Sequence, residues 1–327
     1  MDTKRKTTMP GLLVNGEWKQ KDEFAGDDGK FDREDSAFRN WITPDGSPGP
    51  DGQDAVKAEA GRFHLYVSYA CPWAHRALIF RLLKGLEDLI PVSVVHPHML
   101  GEGWELKTDF PGASGDPLYG KEYLHQIYTK AKSDYSGKVT VPVLWDKQEE
   151  TIINNESAEV IRIFNTAFNE ITRNRADFYP ADLRDEIDHV NERVYEPVNN
   201  GVYKCGFAQT QDAYDENIVP LFDALDWLEQ RLSDGREWLV GDQLTEADIR
   251  LFTTLIRFDP VYFVHFKCNV KMIRQYDALS AYMKRIHDMP EVKPTVHFDH
   301  IKQHYYYSHA HINPYRIVPQ GPRDTVS

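Results

Sequence analysis

The chain has 327 residues, of which 41% are hydrophobic and 27% charged, and a formal net charge of -13 at pH 7. This length suits two domains or one large one, and the composition is that of a soluble globular protein. The negative charge argues against bulk binding to nucleic acid or to anionic membrane, because both reward positive surface, but it leaves room for a local basic pocket that takes a small anion.

The first stretch, MDTKRKTTMPGLLVNGEWKQ, is basic but lacks the apolar core of a secretory signal, and no apolar run approaches the roughly 20 residues of a membrane helix. Cys71, Cys205 and Cys268 are an odd, low set, unlike a disulfide framework. A cytoplasmic protein with reduced thiols is expected, with an organellar address left open by the basic start. Residues 1–60 are rich in Gly, Asp and Pro, and WITPDGSPGPDGQD is turn chemistry. They are expected to form an extended arm with few regular elements, held on the body by Trp18, Phe24, Phe31, Phe38 and Trp41.

From residue 61 the pattern changes. Phe63 to Tyr69 is a β-branched and aromatic run of strand length. PWAHRALIFRLLKG has helical spacing and closes at Gly85. IPVSVVH is a second strand, and a long insert over residues 97–137 holds a helix in GKEYLHQIYTKAKSD. VTVPVLWD and ETIINN are a third and a fourth strand, and ESAEVIRIFNTAF is a helix. Beyond about residue 175 four stretches have helical period and strand signals stop. The expected segments are an arm at 1–60, an α/β domain at 61–170, an all-α domain at 176–300 and an aromatic, His-rich tail at 301–327. In DQLTEADIRLF, Thr245 and Asp248 occupy the ends of a capping box with Leu244 and Ile249 at the staple positions, so Asp248 is read as a folding device.

The chemistry centres on YACPWAHR. Cys71 lies where a strand ends and a helix begins, and Pro72 suits the first helical turn. Free N–H groups and the helix dipole favour thiolate over thiol, so Cys71 is expected to titrate below the free value of about 8.5. His75 adds to this, and Arg76 either adds to it or points to solvent. The ordinary fate of a lone cysteine is inert burial, but the junction with Pro72 argues for reactivity. Ala74 occupies the position where a dithiol site would carry its second cysteine. Without that partner the natural oxidised state is a mixed disulfide with an external thiol, which a second external thiol then releases. Glutathione is the dominant candidate in a reducing cytosol. Cys205 would resolve Cys71 only if the fold brought the two together.

Val141-Pro142 opens a strand, and a cis bond there would expose the Val141 backbone to a peptide-like ligand. Glu156-Ser157 opens a helix, where the Ser157 hydroxyl and N–H can meet a carboxylate. Taken singly, each is also an ordinary turn or cap.

Together, CPWAHR, TVPVLWD, ESAEVIRIF and LTEADIRLF resemble the cysteine-bearing branches of the glutathione transferase superfamily. GEGWE, VNNGVYKCGFA, RFDPVYFVHFKCN and IKQHYYYSHAHINP are similar to its Xi class, the glutathionyl-hydroquinone reductases, and the likeness runs from VNGEW to INPYRIVPQGP. The resemblance implies a thioredoxin-like N-terminal domain followed by an all-helical C-terminal domain, assembled as a homodimer. It implies that Cys71 is the nucleophile and that Trp104 contacts glutathione. Val141 clamps the cysteinyl unit, with Lys138, Val139 and Thr140 leading into it. Glu156 and Ser157 hold the γ-glutamyl end. Tyr203 handles the substrate proton, from a helix entered through an Asn199-Asn200-Gly201 turn, and Tyr262 and Tyr305 add hydroxyls near the thiolate. The HYYY run leaves the last match uncertain by one position, and Cys205 stands where a small inert residue is expected.

The implied reaction is glutathione-dependent reduction of glutathionyl-hydroquinones through a Cys71–glutathione mixed disulfide, with glutathione as co-substrate and neither metal, nucleic acid nor membrane involved. The competing readings are an Omega-like thioltransferase or dehydroascorbate reductase, which would lack the tyrosine cluster, and a non-enzymatic binding module, which need not keep Cys71. A third is a metal site built from His297, His300, His304, His309 and His311.

Overall fold

The structure is a computed structural model that describes residues 11–20, 30–31, 35–322 and 326. Phe24, one of the aromatics expected to hold the arm, lies outside them. The first 60 residues contain more structure than their composition suggested: strands β1 (Gly11–Val14), β2 (Glu17–Gln20), β3 (Trp41–Thr43) and β4 (Ala55–Lys57). β1 and β2 pair as an antiparallel hairpin around Asn15 and Gly16, both at positive φ (49° and 79°). An Asn-Gly pair accepts that conformation at little cost, which makes VNGEW a hairpin signal that the composition of the arm obscured. The hairpin is tied down by paired bonds between Leu13 and Gly137 and by the Trp18 indole donating to the Gly101 carbonyl at 2.8 Å.

β5 (Phe63–Val67) is buried along its whole length, as a central strand covered on both faces must be. It pairs in parallel with β6 (Val92–Val94) and antiparallel with β9 (Val143–Asp146), and β10 (Thr151–Asn154) completes the order β10-β9-β5-β6. Helices α1 (Pro72–Leu83) and α3 (Ser157–Thr166) pack together beside this sheet. The insert between β6 and β9 holds the small pair β7 (Met99–Leu100) and β8 (Gly103–Trp104) and helix α2 (His125–Ala131). The short α4 (Asn169–Thr172) leads out of this mixed sheet-and-helix half.

The remainder is helical: α5 (Arg184–Val194), α6 (Gly201–Phe207), α7 (Gln211–Leu232), α8 (Glu246–Arg257), α9 (Asp277–His287) and α10 (Phe298–Ser308). α1 is buried from Pro72 through Phe80 because α8 covers the face that the sheet half leaves open. No helix among the described residues is long and apolar enough to cross a membrane.

Two details depart from the sequence reading. Asn199-Asn200-Gly201 is no turn: residues Tyr195–Asn200 form a π-helical stretch that joins α5 directly to α6. A second π-helical stretch, Phe258–Tyr262, follows α8. Each contains a proline, Pro197 or Pro260, whose ring cannot donate the helical hydrogen bond and crowds the preceding turn, so the helix widens instead of ending. From this stretch the Asn199 amide donates to the Thr254 hydroxyl of α8 at 2.8 Å.

The capping box is formed. The buried Asp248 carboxylate accepts from the Thr245 N–H (2.7 Å), the Leu239 N–H (2.9 Å) and the Tyr282 hydroxyl (2.8 Å). Asp248→Ala would strand these donors in the core and is expected to cost at least about 2 kcal/mol. A denaturant midpoint checks it, and the affinity for glutathione should be unchanged.

Candidate active site

Cys71 is the N-cap of α1, in extended conformation (φ -75°, ψ 123°), with Pro72 directly after it. The strand-to-helix junction therefore delivers its sulfur to the open end of the sheet. Sγ lies 3.6 Å from the Val141 carbonyl, and the Val141-Pro142 bond is cis. The loop carrying Val141 is fixed by Tyr128, whose hydroxyl donates to the Thr140 carbonyl at 2.8 Å and accepts the Thr140 N–H at 3.2 Å. Asn155 donates to the same hydroxyl at 3.1 Å.

A cleft of about 260 Å³ opens over Cys71. Of the residues singled out from the sequence, Trp104, Lys138, Val139, Thr140, Val141, Ser157, Tyr203 and Tyr305 line it with Cys71. Two do not. Tyr262 is fully buried behind the wall, and Glu156 lines a neighbouring smaller cavity with Asp35, Glu196 and Lys204. Glu156 is the N-cap of α3, its carboxylate accepting from the Ala158 N–H at 3.1 Å and from the Ser36 hydroxyl at 3.0 Å. It works on its own helix end, beside the neighbouring cavity.

The three tyrosines form a chain of hydroxyls. Tyr305 lies 2.5 Å from Tyr203 and 3.0 Å from Tyr262, so the hydroxyl of Tyr305 is the middle link. Its neighbours in the run are used elsewhere: Tyr306 donates to the Pro260 carbonyl, and Tyr307 stacks on His98. Burial, then the neighbouring Tyr262 and Cys71, push the Tyr203 hydroxyl well above its ordinary pKa. Burial, then Tyr203, does the same to Tyr305, and burial takes Tyr262 to about 12. All three are therefore neutral hydroxyls at neutral pH, able to donate as well as accept.

Neither basic neighbour of Cys71 on α1 points to solvent. His75 is fully buried, bonded to the Thr295 hydroxyl at 2.7 Å and facing Arg257 at 3.0 Å, and burial holds it well below its usual pKa. Its neutral ring adds no charge to the thiolate. Arg76 is also buried, stacked on Trp73 at 4.4 Å and bonded to the Ser157 hydroxyl and the Asn199 amide oxygen. Its charge sits at the α3 N-terminus, where it favours an anion.

Several contributors escaped the sequence reading. Phe31 from the arm stacks on Tyr203 at 5.8 Å, and Phe207 packs on Phe31 at the same distance. Trp104 is backed by His304, whose ring stacks at 4.8 Å and whose Nδ1 donates to the Pro97 carbonyl. Trp73 was legible, two residues after the cysteine on a helix start. The rest carry no local signal, because their partners come from distant parts of the chain. Cys205 lies buried beside Cys268, whose thiol is pushed up by burial and then by Cys205, and neither forms a disulfide with Cys71. The tail histidines are spent on stacking and on backbone carbonyls: His297 stacks on Tyr69 at 3.8 Å, and His300 bonds the Pro111 carbonyl. Among the described residues no group of three or more His, Cys, Asp or Glu could hold a metal ion.

Comparison with known proteins agrees with this geometry. Residues 70–167 match the family model of the glutathione S-transferase N-terminal domain, and residues 211–285 that of the C-terminal domain. The chain is 54% identical to glutathionyl-hydroquinone reductase YqjG of Escherichia coli over 313 residues, 95% of each chain. It is 50% identical to glutathionyl-hydroquinone reductase PcpF of Sphingobium chlorophenolicum, covering 95% of this chain and 96% of that one. The glutathione-bound structure of the Escherichia coli protein superposes with a TM-score of 0.89 over 97% of both chains. The glutathione transferase Xi of Phanerochaete chrysosporium superposes with a TM-score of 0.87 at 52% identity, covering 93% of this chain and 96% of that one. The likeness in sequence and in fold thus runs along nearly the whole length of these relatives, and the chain belongs to the Xi class of the glutathione transferase superfamily.

Proposed function

We propose that the protein reduces glutathionyl-hydroquinones to hydroquinones at the expense of glutathione, with Cys71 as the nucleophile. The single observation that carries this reading is the meeting of Cys71 with the hydroxyl chain Tyr203–Tyr305–Tyr262 at one cleft. Disulfide exchange needs only the sulfur. A bank of neutral phenols is useful when a carbon must be protonated.

In this scheme the Cys71 thiolate attacks the thioether sulfur of the substrate. The sulfur–carbon bond breaks, a Cys71–glutathione disulfide forms, and the ring carbon takes up a proton. A second glutathione thiolate attacks that disulfide, releases glutathione disulfide and returns Cys71 as thiolate. The net change is one thioether and one thiol converted into one hydroquinone and one disulfide. Glutathione fits the site chemically: Val141 presents main chain to its cysteinyl unit, Glu156 and the α3 N-terminus at Ser157 suit its γ-glutamyl end, and Lys138 and Trp104 flank the cleft. The arm at 1–60, the glutathione-binding domain at 61–170, the substrate domain at 176–300 and the tail at 301–327 are the working divisions of this reading. A homodimer in a reducing cytoplasm is part of it too, and sedimentation of the purified protein tests the assembly.

Mass analysis of products from a glutathionyl-hydroquinone with excess glutathione tests the reaction. Free hydroquinone and glutathione disulfide are expected in equal amounts. Rapid exchange on a simple glutathione mixed disulfide with no hydroquinone released would make the protein a thioltransferase instead.

A further inference from the structure

Arg257 ends α8 and is fully buried. Its guanidinium donates to the Ala70 carbonyl (2.8 Å), the Tyr69 carbonyl (3.1 Å), the Thr253 carbonyl (2.8 Å) and His75 Nδ1 (3.0 Å). Two of these carbonyls belong to the residues directly before Cys71. All four acceptors are neutral, and among the described residues no carboxylate oxygen comes within 4.0 Å of the guanidinium. A buried guanidinium with only dipoles around it is strongly disfavoured unless an anion lies near. Arg257 also leads straight into the π-helical stretch that ends at Tyr262, so its side chain ties the nucleophile's loop to the helix end from which that stretch runs.

We propose that Arg257 is a positioning residue whose missing counter-charge is the Cys71 thiolate: it pins the loop before the nucleophile to the helical half and holds the sulfur ionised. The fork shape suits this task, since two donors meet the two successive carbonyls of Tyr69 and Ala70, which fixes the charge on the loop that ends at Cys71. The titratable groups near the pair among the described residues are these. Tyr203, Tyr262 and Tyr305 are held neutral by burial. His75, His297, His304 and His309 are held neutral as well, each by burial first. Lys138 and Asp35 border the cleft from the loop and the arm, and Arg76 is turned toward Ser157 and Asn199. Arg257 also lowers the Tyr262 and Tyr305 hydroxyls against the larger effect of burial, so its field reaches the same cluster that Cys71 faces.

The proposal rests on Cys71 as the nucleophile, but its test reads the thiol itself and needs no quinol. The rate of Cys71 alkylation by iodoacetamide is followed against pH, with the modified peptide identified by mass. In Arg257→Met, of similar length and no charge, the inflection is expected to rise by about one unit or more, an approximately 10-fold loss of alkylation rate at pH 6. Arg257→Lys keeps the charge and should stay within about half a unit of wild type. A wild-type inflection in Arg257→Met overturns the proposal, leaving Arg257 a tie and nothing more. So does an Arg257→Lys inflection at the free-thiol value.

Should Arg257→Met fail to fold, linkage decides. A thiol ionised at lower pH in the fold than in the unfolded chain stabilises the protein above the unfolded pKa, and that stability is lost as pH falls through the folded pKa. The melting temperature of wild type should therefore exceed that of Cys71→Ser by a margin that grows as pH rises from 5 toward about 8.5. A margin flat across that window overturns the proposal. Failure of Cys71 as nucleophile would show separately, as quinol turnover surviving in Cys71→Ser.

Discussion

Cys71→Ser is expected to lower hydroquinone release by about 10³-fold or more, because the serine hydroxyl is not ionised near neutral pH and no other thiol reaches the site. Cys205 and Cys268 are both buried, and burial pushes Cys268 away from the thiolate form. Glutathione affinity should stay within a few-fold of wild type, since its proposed contacts lie on Trp104, Val141, Glu156 and Ser157 and not on the sulfur. Isothermal titration measures the affinity, and steady-state assay measures the rate. Treating wild type with oxidised glutathione should add a single glutathione, on the Cys71 peptide, removable by reductant. Near-normal turnover in Cys71→Ser, or an adduct found mainly on Cys205 or Cys268, would remove Cys71 from the nucleophile's role.

The second large effect is expected at Tyr203. Attack on sulfur leaves electron density on a ring carbon that must gain a proton. Tyr203 lines the cleft, its hydroxyl stays protonated because burial and the nearby Cys71 raise it, and Tyr305 lies 2.5 Å behind it. Tyr203→Phe keeps the ring stacked on Phe31 and removes only the hydroxyl. A fall in kcat on the order of 10²-fold is expected for quinol release. Exchange on a simple glutathione mixed disulfide, which needs no carbon protonation, should change little. Equal losses on both substrates would assign Tyr203 to binding or to support of the thiolate. No loss on either would move the proton to Tyr305, the other member of the hydroxyl chain that lines the cleft, with Tyr262 bonded behind it.

Much of the architecture was legible in the chain because it is written in local rules. The run that opens at Phe63 has the aromatic and β-branched residues and the length of a strand, and Phe63–Val67 is one. Pro72 stands at the one helical turn that tolerates it, which put Cys71 at a helix start. Thr245 and Asp248 have the spacing of a capping box, and the box is formed. For the helix start and the capping box the interaction closes within a few residues, so spacing alone determines it; the partners of the strand do not lie so close.

What only the tertiary structure decided involves partners far apart in the chain. Tyr203 and Tyr305 are 102 positions apart, and the order Tyr203–Tyr305–Tyr262, with Tyr262 out of the cleft, depends on how α6, α10 and the stretch after α8 pack. Asn199-Asn200-Gly201 had the residues of a turn. These residues stay helical, and the Asn199 amide reaches across to the Thr254 hydroxyl and the Arg250 carbonyl of α8. Arg76 left two readings open, a charge beside Cys71 or a solvent-facing cation, and Arg257 carried no local signal. They are buried because carbonyls, hydroxyls and amides from other elements converge on them, and periodicity, which reports the face a residue occupies, says nothing of what that face meets.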